Sequence, residues 1–187
     1  MNIEAIPDLV RKAATLFPEN RIDILVNSAG VNSENSFLEV NEKEYDKIMD
    51  INAKGTFFMS QAVAKFMIEN KIHGHILNIS SSSALRPAWT PYQMSKWSIR
   101  GFTMGLADIL LPYGIIVNAI GPGQTATEML NVKKGDSIYN PGVVAGRYEM
   151  PEEIAQLATY MVSDAANMVI GDTFYITGGS GTITYHR

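Results

Sequence analysis

Four short apolar runs, separated by segments of helical character, constrain this 187-residue chain more than any other feature. Ile22-Asp-Ile-Leu-Val-Asn27, His75–Ser80, Ile115–Ile120 and Thr173–Thr177 are too short for ordinary helices and read as strands. An uninterrupted apolar run such as the first suits a strand buried on both faces of a parallel sheet. Residues 4–17 read as a helix, with Leu9, Val10, Ala13, Leu16 and Phe17 on one side, Pro7 near its start and Pro18 beyond its end. Asn41 and Glu44 form a capping-box pattern for a long helix reaching about Glu69. Another helix runs from about Pro91 to Leu111 and stops at Pro112 and Gly114; Pro151-Glu-Glu opens a last one, its acidic residues matched to the N-terminal dipole. Residues 128–149 are polar, contain Gly and Pro, and read as a mobile lid loop. Alternating strand and helix predicts an α/β fold: a parallel sheet with right-handed crossovers and helices on both faces. No repeat or linker divides the chain, so residues 1–187 read as one domain.

Composition narrows the function classes. A hydrophobic content of 46% with 18% charged residues is globular. The chain has no cysteine, which excludes disulfides, thiol catalysis and cysteine zinc sites. His73, His75 and His186 show no ligand spacing with acidic partners, so no metal is expected. A net charge of −4 without a basic run argues against a nucleic-acid partner. No apolar run is long enough to span a bilayer, and the first residues have neither the positive nor the apolar region of a leader. A cytoplasmic protein without a membrane partner is the expectation.

The chemistry gathers around Tyr92-Gln-Met-Ser-Lys96, eleven residues after Ser81 in the run Ser80–Ser83. Spacing of i and i+4 puts a phenol and an ammonium on one helix face. A neighbouring cation favours the phenolate and is expected to lower the tyrosine pKa, which suits general acid/base work. A hydroxyl at the end of the preceding strand would polarise a substrate carbonyl. The four serines alternate between faces, and spacing alone does not choose among them. Asn52 shares a helical stripe with Tyr45, Ile48 and Met49, which directs a polar group inward; a buried asparagine satisfied by backbone gives the same pattern. Trp89, just before Tyr92, suits either a pocket wall or loop packing. Gly121-Pro-Gly123-Gln-Thr-Ala126 imitates a dinucleotide fingerprint, but a long polar loop follows it instead of a clear helix.

Taken in order, Asn27-Ser-Ala-Gly30, Asn52 within Ile51-Asn-Ala-Lys-Gly55, Asn78-Ile-Ser-Ser81, Tyr92 with Lys96, Pro122-Gly123-x-x-x-Thr127 and Gly178-Gly179 resemble the short-chain dehydrogenase/reductase family over nearly the whole chain. The resemblance implies a Rossmann-like sheet and NAD(P)-dependent interconversion of an alcohol with a ketone or aldehyde. It implies that Ser81 binds the carbonyl oxygen and that Tyr92 moves the proton. Lys96 would tune the phenol and bind the ribose, and Asn52 would hold a relay water. It implies NAD(H) or NADP(H) bound by Asn27, Ala29, Gly30, Tyr92, Lys96, Pro122, Gly123, Thr125 and Thr127. It also implies a small-molecule carbonyl or alcohol substrate, and a homodimer or homotetramer joined through helices 41–69 and 91–111.

The sequence departs from the family in lacking the Gly-x-x-x-Gly-x-Gly phosphate loop and the first three strands. It corresponds to the C-terminal two-thirds of such a fold and omits the residues that choose NAD or NADP. The Ile22–Asn27 strand, normally central, is expected to be a bare sheet edge. Beside the enzyme reading stands a second one, an inactive truncated relative kept as an interaction module or a gene-model fragment.

Overall fold

In the computed structural model, which describes residues 2–133 and 135–183, four parallel strands run in the order β1 (Ile24–Asn27), β2 (His75–Ile79), β3 (Ile116–Pro122) and β4 (Thr173–Ile176). The register is continuous: Asn27 pairs with Asn78, Asn78 with Ala119, and Ile120 with Phe174. Helices α1 (Ile6–Ala14), α3 (Thr56–Glu69) and α4 (Pro91–Leu110) cover one face. Val10, Val63, Met67, Ala107 and Leu110 bury there against Ile76 and Val117. On the other face α5 (Pro151–Met161) buries Met161 against Leu77 and Ile120, with Ile154, Leu157 and Phe174 around them.

Two expectations are corrected by this arrangement. The strands step one way across the sheet while α5 lies opposite α3 and α4, so the three crossovers cannot share one hand. Nor is β1 buried on both faces. Among the described residues it pairs only with β2; its Leu25 side packs on the first core, while Ile24 and Val26 are 45% and 46% exposed because α5 does not reach over them. Among the described residues no strand pairs with the outer edge of β1.

The helix expected over 41–69 is three pieces. Helix α2 (Glu42–Met49) leads into a π-helical turn, Asp50–Gly55, and then α3. The cap is half of a box. Asn41 accepts the Glu44 N–H at 3.0 Å, but the Glu44 carboxylate turns outward to the amides of Glu34 and Asn35 and holds that loop instead. The later part of the segment 128–149 is tied down at Tyr139, Arg147 and Glu149. Thr125 and Glu149 form a parallel bridge, Tyr139 and Arg147 an antiparallel one, and Arg147 forks onto Glu153 at 2.8 and 2.7 Å.

A buried polar ladder locks the covered face to the sheet. Asn27 Nδ2 donates to Ser60 Oγ and to Asn78 Oδ1, each at 2.9 Å, and Asn78 Nδ2 donates to Thr103 Oγ1 at 3.0 Å. Asn78 is fully buried and joins β1, β2 and α4. Asn78→Ala leaves Asn27 and Thr103 short of partners, and urea unfolding at unchanged slope should show a loss on the order of 2 kcal/mol.

Candidate active site

At the carboxyl ends of the strands lies a cavity of about 600 Å³. Its walls are the β1 loop (Ser28, Gly30), the β2 end with Ser80–Ser83, the α4 face with Tyr92 and Lys96, and the β3 loop with Pro122, Gly123, Thr125 and Thr127; α5 adds Ile154 and Ala158. This is where a ligand sits in open α/β sheets.

Local sequence fixes the start of α4 and thus the phenol. Thr90 and Gln93 form a full capping box around Pro91: the Gln93 N–H donates to Thr90 Oγ1 at 3.3 Å, and Gln93 Oε1 accepts from the amides of Trp89 and Thr90. The Tyr92 amide donates to Ser33 Oγ at 3.3 Å, joining α4 to the β1 loop.

Lys96 is only 6% exposed, and its Nζ donates to the Ile79 carbonyl at 2.9 Å, 5.7 Å from the Tyr92 ring centre. Burial pulls its pKa down to about 8. Tyr92 is half-buried, and burial pushes its phenol above the ordinary value while a hydrogen bond with Ser81 opposes the rise. The expected lowering of the phenol by the lysine is therefore not met: the ammonium is bound to a carbonyl, and burial disfavours both charged forms. The serine run resolves by neighbours. Ser80 Oγ donates to the Lys96 carbonyl at 2.9 Å and is occupied in holding α4, while Ser81 meets the phenol and accepts the Ser83 N–H at 3.1 Å.

Asn52 lies in the π-helical turn and is fully buried. Its Nδ2 donates to the Val31 carbonyl at 2.9 Å and to Ser95 Oγ at 3.0 Å, while its Oδ1 accepts the Val31 N–H at 2.8 Å. Both amide hydrogens are used, so the side chain clamps the β1 loop to α4. Asn27 points into the polar ladder, and neither it nor Ala29 lines the cavity; Ser28 and Gly30 do. A Cβ on Gly30 would stand 3.6 Å from Lys96 Nζ, so glycine keeps the space beside the ammonium open. Trp89 is exposed and off the cavity wall. His73 and His75 flank the opposite end of β2, and His186 lies outside the described residues. No cluster of metal-ligating side chains occurs among the described residues.

Glu149 gave no sign in the sequence. It is 5% exposed; its Oε2 accepts the Gly123 N–H at 2.9 Å, and its buried Oε1 meets no hydrogen-bond donor at normal geometry among the described residues. A Cβ on Gly123 would come within 2.4 Å of that Oε1 and 2.9 Å of Thr177 Cα. The glycine of the phosphate-loop imitation is thus required by packing against Glu149 and β4. Burial pushes the Glu149 carboxyl up, outweighing the Gly123 and Thr125 hydrogen bonds that pull it down.

The comparisons agree with this architecture. A family model described as enoyl-(acyl carrier protein) reductase matches residues 1–181. The 3-oxoacyl-[acyl-carrier-protein] reductase FabG of Rickettsia felis is 33% identical over 183 residues, which is 95% of this chain and 73% of that protein. The 2-dehydro-3-deoxy-D-gluconate 5-dehydrogenase of Escherichia coli is 34% identical over 183 residues, 95% of this chain and 72% of the relative. Among solved structures, a Burkholderia cenocepacia gluconate 5-dehydrogenase in complex with NADP and tartrate has a TM-score of 0.82 at 30% identity, covering 96% of this chain and 74% of that one. A 4-hydroxyisoleucine dehydrogenase complexed with NADH also has a TM-score of 0.82, at 31% identity, covering 95% and 76%. The chain belongs to the short-chain dehydrogenase/reductase family.

Two titrations test the electrostatics. With lysine carbons labelled, one NMR signal should titrate near pH 8, away from the ordinary lysine value of about 10.4, and vanish in Lys96→Met. For Glu149 the folded pKa lies above the unfolded one, so the native state holds the extra proton between the two values. Stability conferred by that proton falls as pH rises through this window. Glu149→Gln should therefore gain stability relative to the parent as pH rises above the ordinary glutamate range, as read by urea unfolding at several pH values.

Proposed function

We propose that this chain is an NAD(P)-dependent oxidoreductase that interconverts an alcohol with a ketone or aldehyde, using Ser81, Tyr92 and Lys96. One observation carries the reading: a buried ammonium and a half-buried phenol on one helix face, with a serine hydroxyl on the phenol, all opening into one cavity. Tyr92 gives its proton to the carbonyl oxygen in reduction and takes it back in oxidation. Ser81 donates a hydrogen bond to the same oxygen. Lys96 stabilises the phenolate as it forms, from a fixed seat on the Ile79 carbonyl. Asn52 positions the β1 loop against α4; with both amide hydrogens engaged, it would hold a relay water as an acceptor.

The residues fit the nicotinamide–ribose end of NAD(H) or NADP(H). Ser28, Gly30, Gly123, Thr125 and Thr127 give small or hydroxyl-bearing walls, and Lys96 supplies a donor for ribose hydroxyls. The nicotinamide supplies or accepts the hydride at the reacting carbon. The relatives' names support an alcohol/carbonyl pair, since they include a 3-oxoacyl reductase and a sugar-acid 5-dehydrogenase, and every relative reported above is a reductase or dehydrogenase by name. They favour an enzyme over an inert interaction module.

We also propose a homodimer or homotetramer through 41–69 and 91–111. Phe57, Met94, Trp97 and Met104 are exposed on these segments, and the Phe57 and Phe102 rings meet at 5.2 Å. Sedimentation should give two or four times the chain mass, and a monomer mass contradicts the assignment.

The reaction is tested by following nicotinamide absorbance with a panel of ketones and secondary alcohols. Tyr92→Phe should lower kcat by about 10²–10⁴-fold. Because burial keeps the phenol protonated, reduction should hold level through neutral pH, while oxidation should climb as the pH rises toward the Tyr92 pKa. A Tyr92→Phe variant of undiminished rate overturns the assignment.

A further inference from the structure

We propose that Arg86 is the anion-binding group of the substrate side of the cavity, so that the substrate carries an oxyanion, a carboxylate or a phosphate. The substrate assignment rests on the oxidoreductase reading; the anion site itself does not.

The charged side chains on the cavity wall are Arg86 and Lys96, and no aspartate or glutamate lines it among the described residues. Lys96 gives one of its three donors to the Ile79 carbonyl, and the proposed function engages the others with the phenolate and the ribose. The guanidinium of Arg86 has neither a carboxylate nor any other hydrogen-bond acceptor among the described residues. The other described arginines are all engaged. Arg11 pairs with Asp8, Arg21 with Asp23 and Arg147 with Glu153, while Arg100 donates to the Ala84 carbonyl and lies over the Trp97 and Tyr175 rings. Arg86 is exposed to solvent, and its guanidinium stands on the wall of the cavity that holds Tyr92 with no acidic partner among the described residues.

The backbone beneath it is fixed. The Arg86 N–H donates to the Ser83 carbonyl at 3.3 Å, and Trp97 Nε1 donates to the Arg86 carbonyl at 2.8 Å. This pins the residue at the end of the turn that begins at Ser81 and leaves its head group unassigned. A guanidinium offers a planar fork of donors that matches an oxyanion two bonds at a time. Dinucleotide phosphates are the competing anions. Arg86 follows Ser81 on the wall that would hold the carbonyl oxygen, which places it on the substrate side.

Both tryptophans of the chain report on this position: Trp89 is three residues away and Trp97 bonds to the Arg86 carbonyl. Tryptophan fluorescence of the folded 187-residue chain is titrated with malonate, with inorganic phosphate and with neutral malonamide at matched ionic strength, and separately with NADH and NADPH. We expect saturable binding of at least one anion and none of malonamide. In Arg86→Met the anion affinity should fall about tenfold or more, the scale of a lost charge-assisted pair, with partial rescue by Arg86→Lys and unchanged dinucleotide affinity. Thermal unfolding confirms that each variant is folded, and Arg86→Gln replaces any that is not. The proposal is overturned by an absent anion response in the parent chain, by a response that survives in Arg86→Met, or by a parallel fall in dinucleotide affinity, which would assign Arg86 to the cofactor phosphates. Failure of the oxidoreductase reading would look different: no dinucleotide response with the anion response intact.

Discussion

The bond from Lys96 Nζ to the Ile79 carbonyl is the point on which the rest of the site depends. Burying an ammonium is unfavourable unless it is hydrogen-bonded, and a strand-end carbonyl is a fixed acceptor that costs no further ordering. The bond ties α4 to the end of β2, and Ser80 repeats the tie in the other direction by donating to the Lys96 carbonyl. Helix and strand are thus joined on both sides of the lysine. Tyr92, one turn earlier, and Ser81, one residue beyond Ser80, inherit their positions from that joint.

Behind it stands a second layer of polar bonds. Asn52 clamps Val31 and Ser95, so the β1 loop and α4 are tied together. The π-helical turn over Asp50–Gly55 carries Asn52 with its side chain buried. The ladder from Ser60 through Asn27 and Asn78 to Thr103 continues the same logic under the sheet. On the other wall Glu149 braces Gly123. The cavity is therefore held by buried polar groups on two sides, while its apolar floor comes from α5.

Much of this was legible in the sequence because punctuation is strong where it occurs. Thr90-Pro91 and Pro112 with Gly114 bracket α4 closely, and the four strands fall where short apolar runs stand. What was not legible depends on neighbours. The Asn41 and Glu44 pattern suggested a reciprocal cap, but Glu44 found two loop amides closer at hand. An apolar run in β1 looked doubly buried, yet burial depends on whether α5 extends that far. No residue type announces a π-helical turn. Ser80 and Ser81 are identical in type and differ only in what α4 presents to each. Glu149 and Arg86 are ordinary charged residues in sequence, and only packing makes one a buried brace and leaves the other without an acidic partner among the described residues.

The dependence of the site on Lys96 is tested most directly by the thermal unfolding of the purified chain titrated with NADH and with NADPH. A ligand that binds only the folded state raises the midpoint in step with its excess over the dissociation constant. The midpoint should rise with at least one dinucleotide, and the rise should be lost or sharply reduced in a folded Lys96→Met variant. A well-folded chain whose midpoint stays fixed with both dinucleotides would contradict this reading of the site, because the Lys96 joint would then shape a cavity that takes no nicotinamide cofactor.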